Sequence, residues 1–177
     1  MRSHANLSTE VPPMYRWTLT RRWVETWDAV KAMTFIMLNP STADAYEDDP
    51  TIRRCIGFAQ RERCGELRVI NLFSYRATEP DDLLGAIRAG VDPFGSRHDE
   101  FTRHALALAN GPIVAAWGAN ELDGHVDAAI RRLRENAAVQ MGTDTPMLSC
   151  LKVTKSGAPG HPLYLPADAP LTDWGTL

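Results

Sequence analysis

Residues 35–55 read FIMLNPSTADAYEDDPTIRRC, and the stretch changes character in its middle. Phe35 to Leu38 is an unbroken apolar run, short enough for a strand buried on both faces. Asn39-Pro40-Ser41-Thr42 stops it with an amide, a proline and two hydroxyls, residues that favour turns over a continuing ladder. An acidic cluster follows: Asp44, Glu47, Asp48 and Asp49. After it, Ile52, Ile56 and Ala59 or Gln60 fall at helical spacing, with Asp49 placed to cap the helix and Pro50 in its first turn. The stretch therefore reads strand, polar loop, helix.

The same order recurs along the chain. LRVINLF (67–73) predicts a second buried strand, followed by polar SYRATEPDD and a helix over 78–89. A further helix is expected before Asn110-Gly111. PIVAAWG (112–118) predicts a third strand, HVDAAIRRLRENAA (125–138) an amphipathic helix, and PMLSCLKV (146–153) a fourth strand before a Pro/Gly-rich tail. YRWTLTRRWV (15–24) alternates and suits an early edge strand. Strands alternating with helices predict an α/β fold: a three-layer αβα sandwich with a mainly parallel central sheet holding residues 33–38, 67–71, 112–117 and 147–153. Residues 1–13, polar and interrupted by Pro12-Pro13, read as a flexible arm, and 14–177 as a single α/β domain.

Composition narrows the functional classes. Of 177 residues, 44% are apolar and 23% charged, an ordinary soluble balance. Runs such as IVAAW are too short to cross a bilayer, so no membrane role is expected. Cys55, Cys64 and Cys150 lie far apart without CxxC spacing, which argues against zinc or a disulfide framework and fits the cytoplasm. The net charge of −3 does not suit extended contact with nucleic-acid phosphates. Arginines do cluster at Arg53, Arg54, Arg61, Arg63 and Arg68 and again at Arg131, Arg132 and Arg134; they read as solvated helix faces. The acidic cluster reads as a helix N-terminus favouring negative charge. Neither a metal nor another cofactor is expected.

In parallel sheets, ligands sit outside the carboxyl ends of the strands. NPST, NLFSYR and WGAN all fall at such ends, and GHPLYLP follows the last strand. FIMLNPSTAD, DDPTIRRCIGFA, VINLFSYRATEPDDL, AWGA and GHPLYLP together resemble a bacterial family of domains of unknown function, DUF1643, over about 15–174. The chain also resembles, more distantly, the uracil-DNA glycosylase superfamily. Met37-Leu38-Asn39-Pro40-Ser41 is similar to the G-x-N-P-G motif of its mismatch-specific branch, without the two glycines. Asn71 in VINLFSYRATEP stands where that superfamily places a base-reading Asn, in an N-x-x-x-x-R-x-x-x-x-P arrangement like that of its thermophilic branch. His161-Pro162 matches the start of its last motif, with Leu163-Tyr164 in place of small residues.

That resemblance implies hydrolysis of an N-glycosidic bond in DNA or a nucleotide, on a uracil-DNA-glycosylase-like fold. Asn39 would orient water, His161 would stabilise the departing base, and Asp44 or Asp48 would supply the carboxylate that an amide cannot replace. Asn71 offers a donor and an acceptor to the edge of a base. Phe73 and Tyr75 are candidate stacking surfaces, while Trp117 and Tyr164 read as packing residues. Other readings stay open. One is a nucleotide or nucleoside protein not acting on DNA, its phosphate meeting Ser41, Thr42 and the amides of the next helix. Another is a metal-assisted phosphoesterase using Asp44, Glu47, Asp48 and Asp49, and a third is a non-catalytic binding module. In every glycosidase or nucleotide reading the partner is a nucleobase-containing ligand, DNA included; the oligomeric state is open.

Overall fold

The computed structural model describes residues 1–25, 30–41, 43–44, 46–142 and 146–176. Seven strands form one mixed sheet in the order β1-β2-β4-β3-β5-β6-β7. The four expected central strands are β3 (Ala32–Met37), β4 (Glu66–Asn71), β5 (Ile113–Ala115) and β6 (Met147–Cys150). They run parallel to one another. All six residues of β3 are buried, as an apolar run without alternation requires when both faces are covered.

The flanks correct the mainly parallel expectation. β1 (Arg2–Leu7) pairs antiparallel with β2 (Arg16–Arg22), β2 antiparallel with β4, and β7 (Thr172–Thr176) antiparallel with β6. Half of the ladders are therefore antiparallel. The segment expected to be a flexible arm contains β1, and the Pro/Gly-rich tail contains β7. Both strands are largely exposed, so no apolar alternation announces them. Each is held by backbone pairing to an edge that would otherwise present unpaired N–H and C=O groups.

Helices cover both faces. α2 (Pro80–Arg88), α3 (His98–Ala107) and α4 (His125–Met141) pack on one side, where Leu83, Leu106 and Leu133 meet Ile36, Ile70 and Leu148. α1 (Pro50–Arg61) covers the other, where Ile52, Cys55 and Phe58 meet Phe35, Leu67 and Val69. Asp49 caps α1 as expected, accepting from the Ile52 N–H at 2.8 Å. The three cysteines are free and buried. Among the described residues no helix is long and apolar enough to cross a membrane.

Several arginines expected on solvated faces instead bind backbone. Arg61 donates to the carbonyls of Ala167 and Ala169 at 2.9 and 2.7 Å, and Arg54 donates to that of Leu165. Both guanidinium groups also lie over the Phe58 ring. The tail segment 165–169 is thus tied to α1 by donors that satisfy carbonyls no ladder reaches. Arg132 grips Asp99 through two bonds of 2.8 and 2.9 Å and holds that carboxyl down to about 2. On β2, Arg21 is 1% exposed; it pairs with Asp48 at 2.7 Å and donates to the Asp44 carbonyl, fixing the loop between β3 and α1.

His98 opens α3 beneath this layer, 5% exposed, its Nδ1 2.8 Å from the Ser74 hydroxyl. Burial, reinforced by Arg132, pushes its imidazole down to about 4. The unfolded chain takes up a proton near the ordinary value of 6.5 that the folded chain refuses. Stability that is full above 6.5 is therefore lost as pH falls toward 4, by about 3 kcal/mol. Urea unfolding at pH 7 and pH 4 checks this. His98→Gln is expected to remove most of the wild-type pH slope; an unchanged slope would place its origin elsewhere.

Candidate functional site

A cleft of about 760 Å³ opens at the carboxyl ends of the four parallel strands, within the size range of small-molecule sites. Its position follows from strand order. The connection after β3 leads to β4 on one side, and the connection after β5 leads to β6 on the other. The loops part between β3 and β5, and the crevice lies where they diverge.

Each strand delivers a side chain or a loop to this edge. β4 ends in Asn71, and β3 runs through Met37 into Leu38, Asn39 and Ser41. β5 continues through Trp117 into Gly118, and the chain beyond β6 contributes Lys152, Lys155 and His161. Gly118 adopts φ +80°, which strains any residue with a side chain, and its N–H donates to the Pro159 carbonyl at 3.0 Å. That bond draws the 159–161 loop against the end of β5 and sets His161 above the cleft.

Asn71 is the most distinctive member. It is 5% exposed, and neither Nδ2 nor Oδ1 has a hydrogen-bond partner among the described residues. A buried amide left so costs on the order of 1–3 kcal/mol, and native folds seldom tolerate it without a purpose. Asn39 differs: its Nδ2 donates to the carbonyls of Pro40 and Ala77 at 3.1 and 2.8 Å, tying the β3 loop to the β4 loop. Its remaining capacity is the acceptor Oδ1.

His161 is half-buried, and its Nδ1 lacks a partner among the described residues. Burial lowers its imidazole below the ordinary value, with Asp49 opposing the shift. At neutral pH the ring is therefore uncharged and carries one N–H donor. Tyr164 lies 5.5 Å away, ring to ring.

The expected site residues divide. Asn39, Asn71, His161 and Ser41 line one cleft. Asp44 does not; its Oδ1 accepts from the N–H groups of Tyr46 and Glu47 at 2.7 and 3.0 Å, closing a turn. Asp48 is bound to Arg21 and lies outside the lining as well. Phe73 is 1% exposed in the core against Phe94, and Tyr75 sits edge-on to Tyr15, so neither offers a face to the cleft. Thr42 lies outside the described residues. Tyr164, read as a packing residue, is 81% exposed on the rim, while Trp117 packs edge-on against Trp174 at 5.1 Å and also lines the cleft.

Two further members were not expected in a glycosidase site: Asp49, read as a helix cap and as part of the metal-assisted alternative, and Arg16. Asp49 faces the cleft while capping α1, so a carboxylate stands near His161. A cap residue directly after a strand-end loop lies at the carboxyl edge of the sheet, and that is the signal that could have found it. Arg16 reaches the cleft from β2; it is almost wholly buried, donates to the Ala43 carbonyl and has an unpartnered Nε. Burial pushes its guanidinium down to about 10 against the opposing charge of Asp49. It came from a strand read only as an edge, and nothing in the sequence links it to Asp49. Among the described residues, no group of three or more His, Cys, Asp or Glu is placed to hold a metal ion.

The comparisons with known proteins meet this geometry at one point. No curated protein and no solved structure matches the chain, glycosylases included. One family model matches residues 16–163, a span that takes in β2, the four parallel strands and His161. The chain therefore belongs to the DUF1643 family, proteins of unknown function.

Proposed function

We propose that the cleft binds a nucleobase-containing ligand and hydrolyses its N-glycosidic bond. The observation that supports this reading is Asn71, a buried amide with a free donor and a free acceptor side by side at the cleft wall. That pairing suits the edge of a nucleobase, which presents a donor next to an acceptor. Met37, Leu38, Ile52 and Ala77 supply apolar surface for its faces.

The chemistry runs as a displacement by water. Water attacks the anomeric carbon, the C–N bond breaks, and the base leaves with the electron pair. His161, neutral, donates its N–H to the base atom where negative charge develops. Asn39 Oδ1 and the Asp49 carboxylate orient the water, and Asp49 or bulk solvent takes its proton. Asp49 takes the part that the resemblance gave to Asp44 or Asp48, because of these three carboxylates it is the one that lines the cleft.

Release of free base from uracil- and hypoxanthine-containing oligonucleotides and from the corresponding nucleosides and nucleotides, with chelator present, tests the reading. Wild-type protein is expected to release base, and Asn71→Asp to change which base is preferred, since it exchanges a donor for an acceptor. No release from any substrate, with no nucleobase binding by calorimetry, would remove the proposal. Activity that appears only on adding magnesium or manganese would point to metal-assisted chemistry instead.

A further inference from the structure

The polar groups of the cleft are ordered from one end to the other. Asn71 stands at the end of β4, Asn39 follows β3, Gly118 follows β5, and Lys152 and Lys155 follow β6. With strands about 4.8 Å apart, three intervals place the lysine end about 14 Å from the Asn71 end. Both Asp49 and Arg16 line the cleft, and the Asp49 charge opposes the downward push of burial on Arg16, so this buried cation has a counter-charge. The two lysines differ: both are exposed, and neither has an ion-pair partner among the described residues.

The backbone beneath them is fixed. Gly160 N–H donates to the Lys152 carbonyl at 2.7 Å, and a Cβ on Gly160 would come within 3.2 Å of Lys152 Cβ. Residues 154–158 close a tight turn, with Thr154 N–H bound to the Ala158 carbonyl at 2.8 Å and Gly157 N–H to that of Thr154 at 3.0 Å. Lys155 sits on this turn and Lys152 at its base.

The helix N-termini at the cleft offer no rival anion site. Asp49 already places a carboxylate on the first amides of α1. α2 opens with Glu79, Asp81 and Asp82, three negative charges against any phosphate brought there. The same carboxylates oppose a duplex, whose backbone would carry phosphates across this rim.

Resting on the nucleobase reading above, we infer that the ligand is a free nucleotide, its base edge on Asn71 and its phosphate between Lys152 and Lys155. The sugar then lies over Asn39 and Gly118, beneath His161. The phosphate is thus placed at the β6 end and not on Ser41 and the α1 amides, where Asp49 stands.

Calorimetry on the full chain with uridine, inosine and adenosine, their 5′-monophosphates, inorganic phosphate, and single-stranded and duplex oligonucleotides tests this. For whichever base binds, the monophosphate is expected to bind at least about tenfold tighter than the nucleoside. That advantage should shrink as salt rises and vanish in K152E/K155E, whose thermal melt controls for folding. Equal affinity for nucleoside and monophosphate overturns the phosphate site while leaving the nucleobase reading standing. An advantage that survives in K152E/K155E does the same. Tighter binding of either oligonucleotide than of any monophosphate overturns the free-nucleotide assignment. Absence of binding by every probe removes both this inference and the reading it rests on.

Discussion

Asn71→Leu is expected to make the protein more stable and unable to bind its ligand. Asn71 sits at 5% exposure with both amide atoms unpartnered among the described residues. Leucine has the same branching and number of heavy atoms and needs no hydrogen bond, so the folded state sheds an uncompensated polar burial of about 1–3 kcal/mol. A ligand that presents a donor and an acceptor to this wall would then meet a hydrocarbon. Leaving its polar edge unpaired should weaken binding by about a hundredfold or more. Urea unfolding without ligand and calorimetry with it measure the two effects on one sample. A purely structural Asn71 would give the reverse sign in the first experiment: its loss would destabilise. A drop in stability would therefore assign the amide to the fold and remove the main support for the nucleobase reading.

His161→Ala is expected to lower the rate of base release by about 10²–10³, the usual consequence of deleting one preorganised donor to a developing anion. KM should change little, because the charge it meets forms only in the transition state. The protein should still fold, since His161 is half-buried and its Nδ1 has no partner among the described residues to lose. The pH profile separates this role from a general one. Burial holds the imidazole below its ordinary value, so the midpoint of the acid limb should lie below pH 6.5. In His161→Ala that limb should disappear. A fall in rate through loss of affinity alone, with the limb intact, would make His161 a binding residue and leave the leaving-group role without a holder.

The reading of strand ends explains what was legible. An apolar run such as 35–38 that breaks into Asn-Pro-Ser needs only local rules: β pairing buried on both faces, then a turn. The same rules placed Asn39 and Asn71 at strand termini and Asp49 at a helix cap, and parallel order then placed all three at one edge. β1 and β7 obey no such rule. Their side chains are largely exposed, so their existence rests on backbone hydrogen bonds to the edges of β2 and β6 and not on an apolar pattern of their own. The arginines of α1 were misread for a related reason. A guanidinium at helical spacing looks the same whether it faces water or a carbonyl more than a hundred residues further on.

Within the site, residue type carried the chemistry and three-dimensional packing chose among equals. Four acidic residues, Asp44, Glu47, Asp48 and Asp49, are interchangeable by composition. The tertiary structure commits Asp44 to a turn and Asp48 to Arg21, and turns Asp49 to the cleft. Phe73 and Tyr75 were equally open, and the core took Phe73, which packs in one cluster with Leu83 of α2 and Leu106 of α3. What the amino-acid sequence determines by itself is where strands end and which polar groups stand there, since those follow from local hydrophobic pattern and turn chemistry. Which of those groups share a cleft, which lose their water and which are left without partners depends on strand order and long-range packing, and these act between residues that local pattern cannot connect.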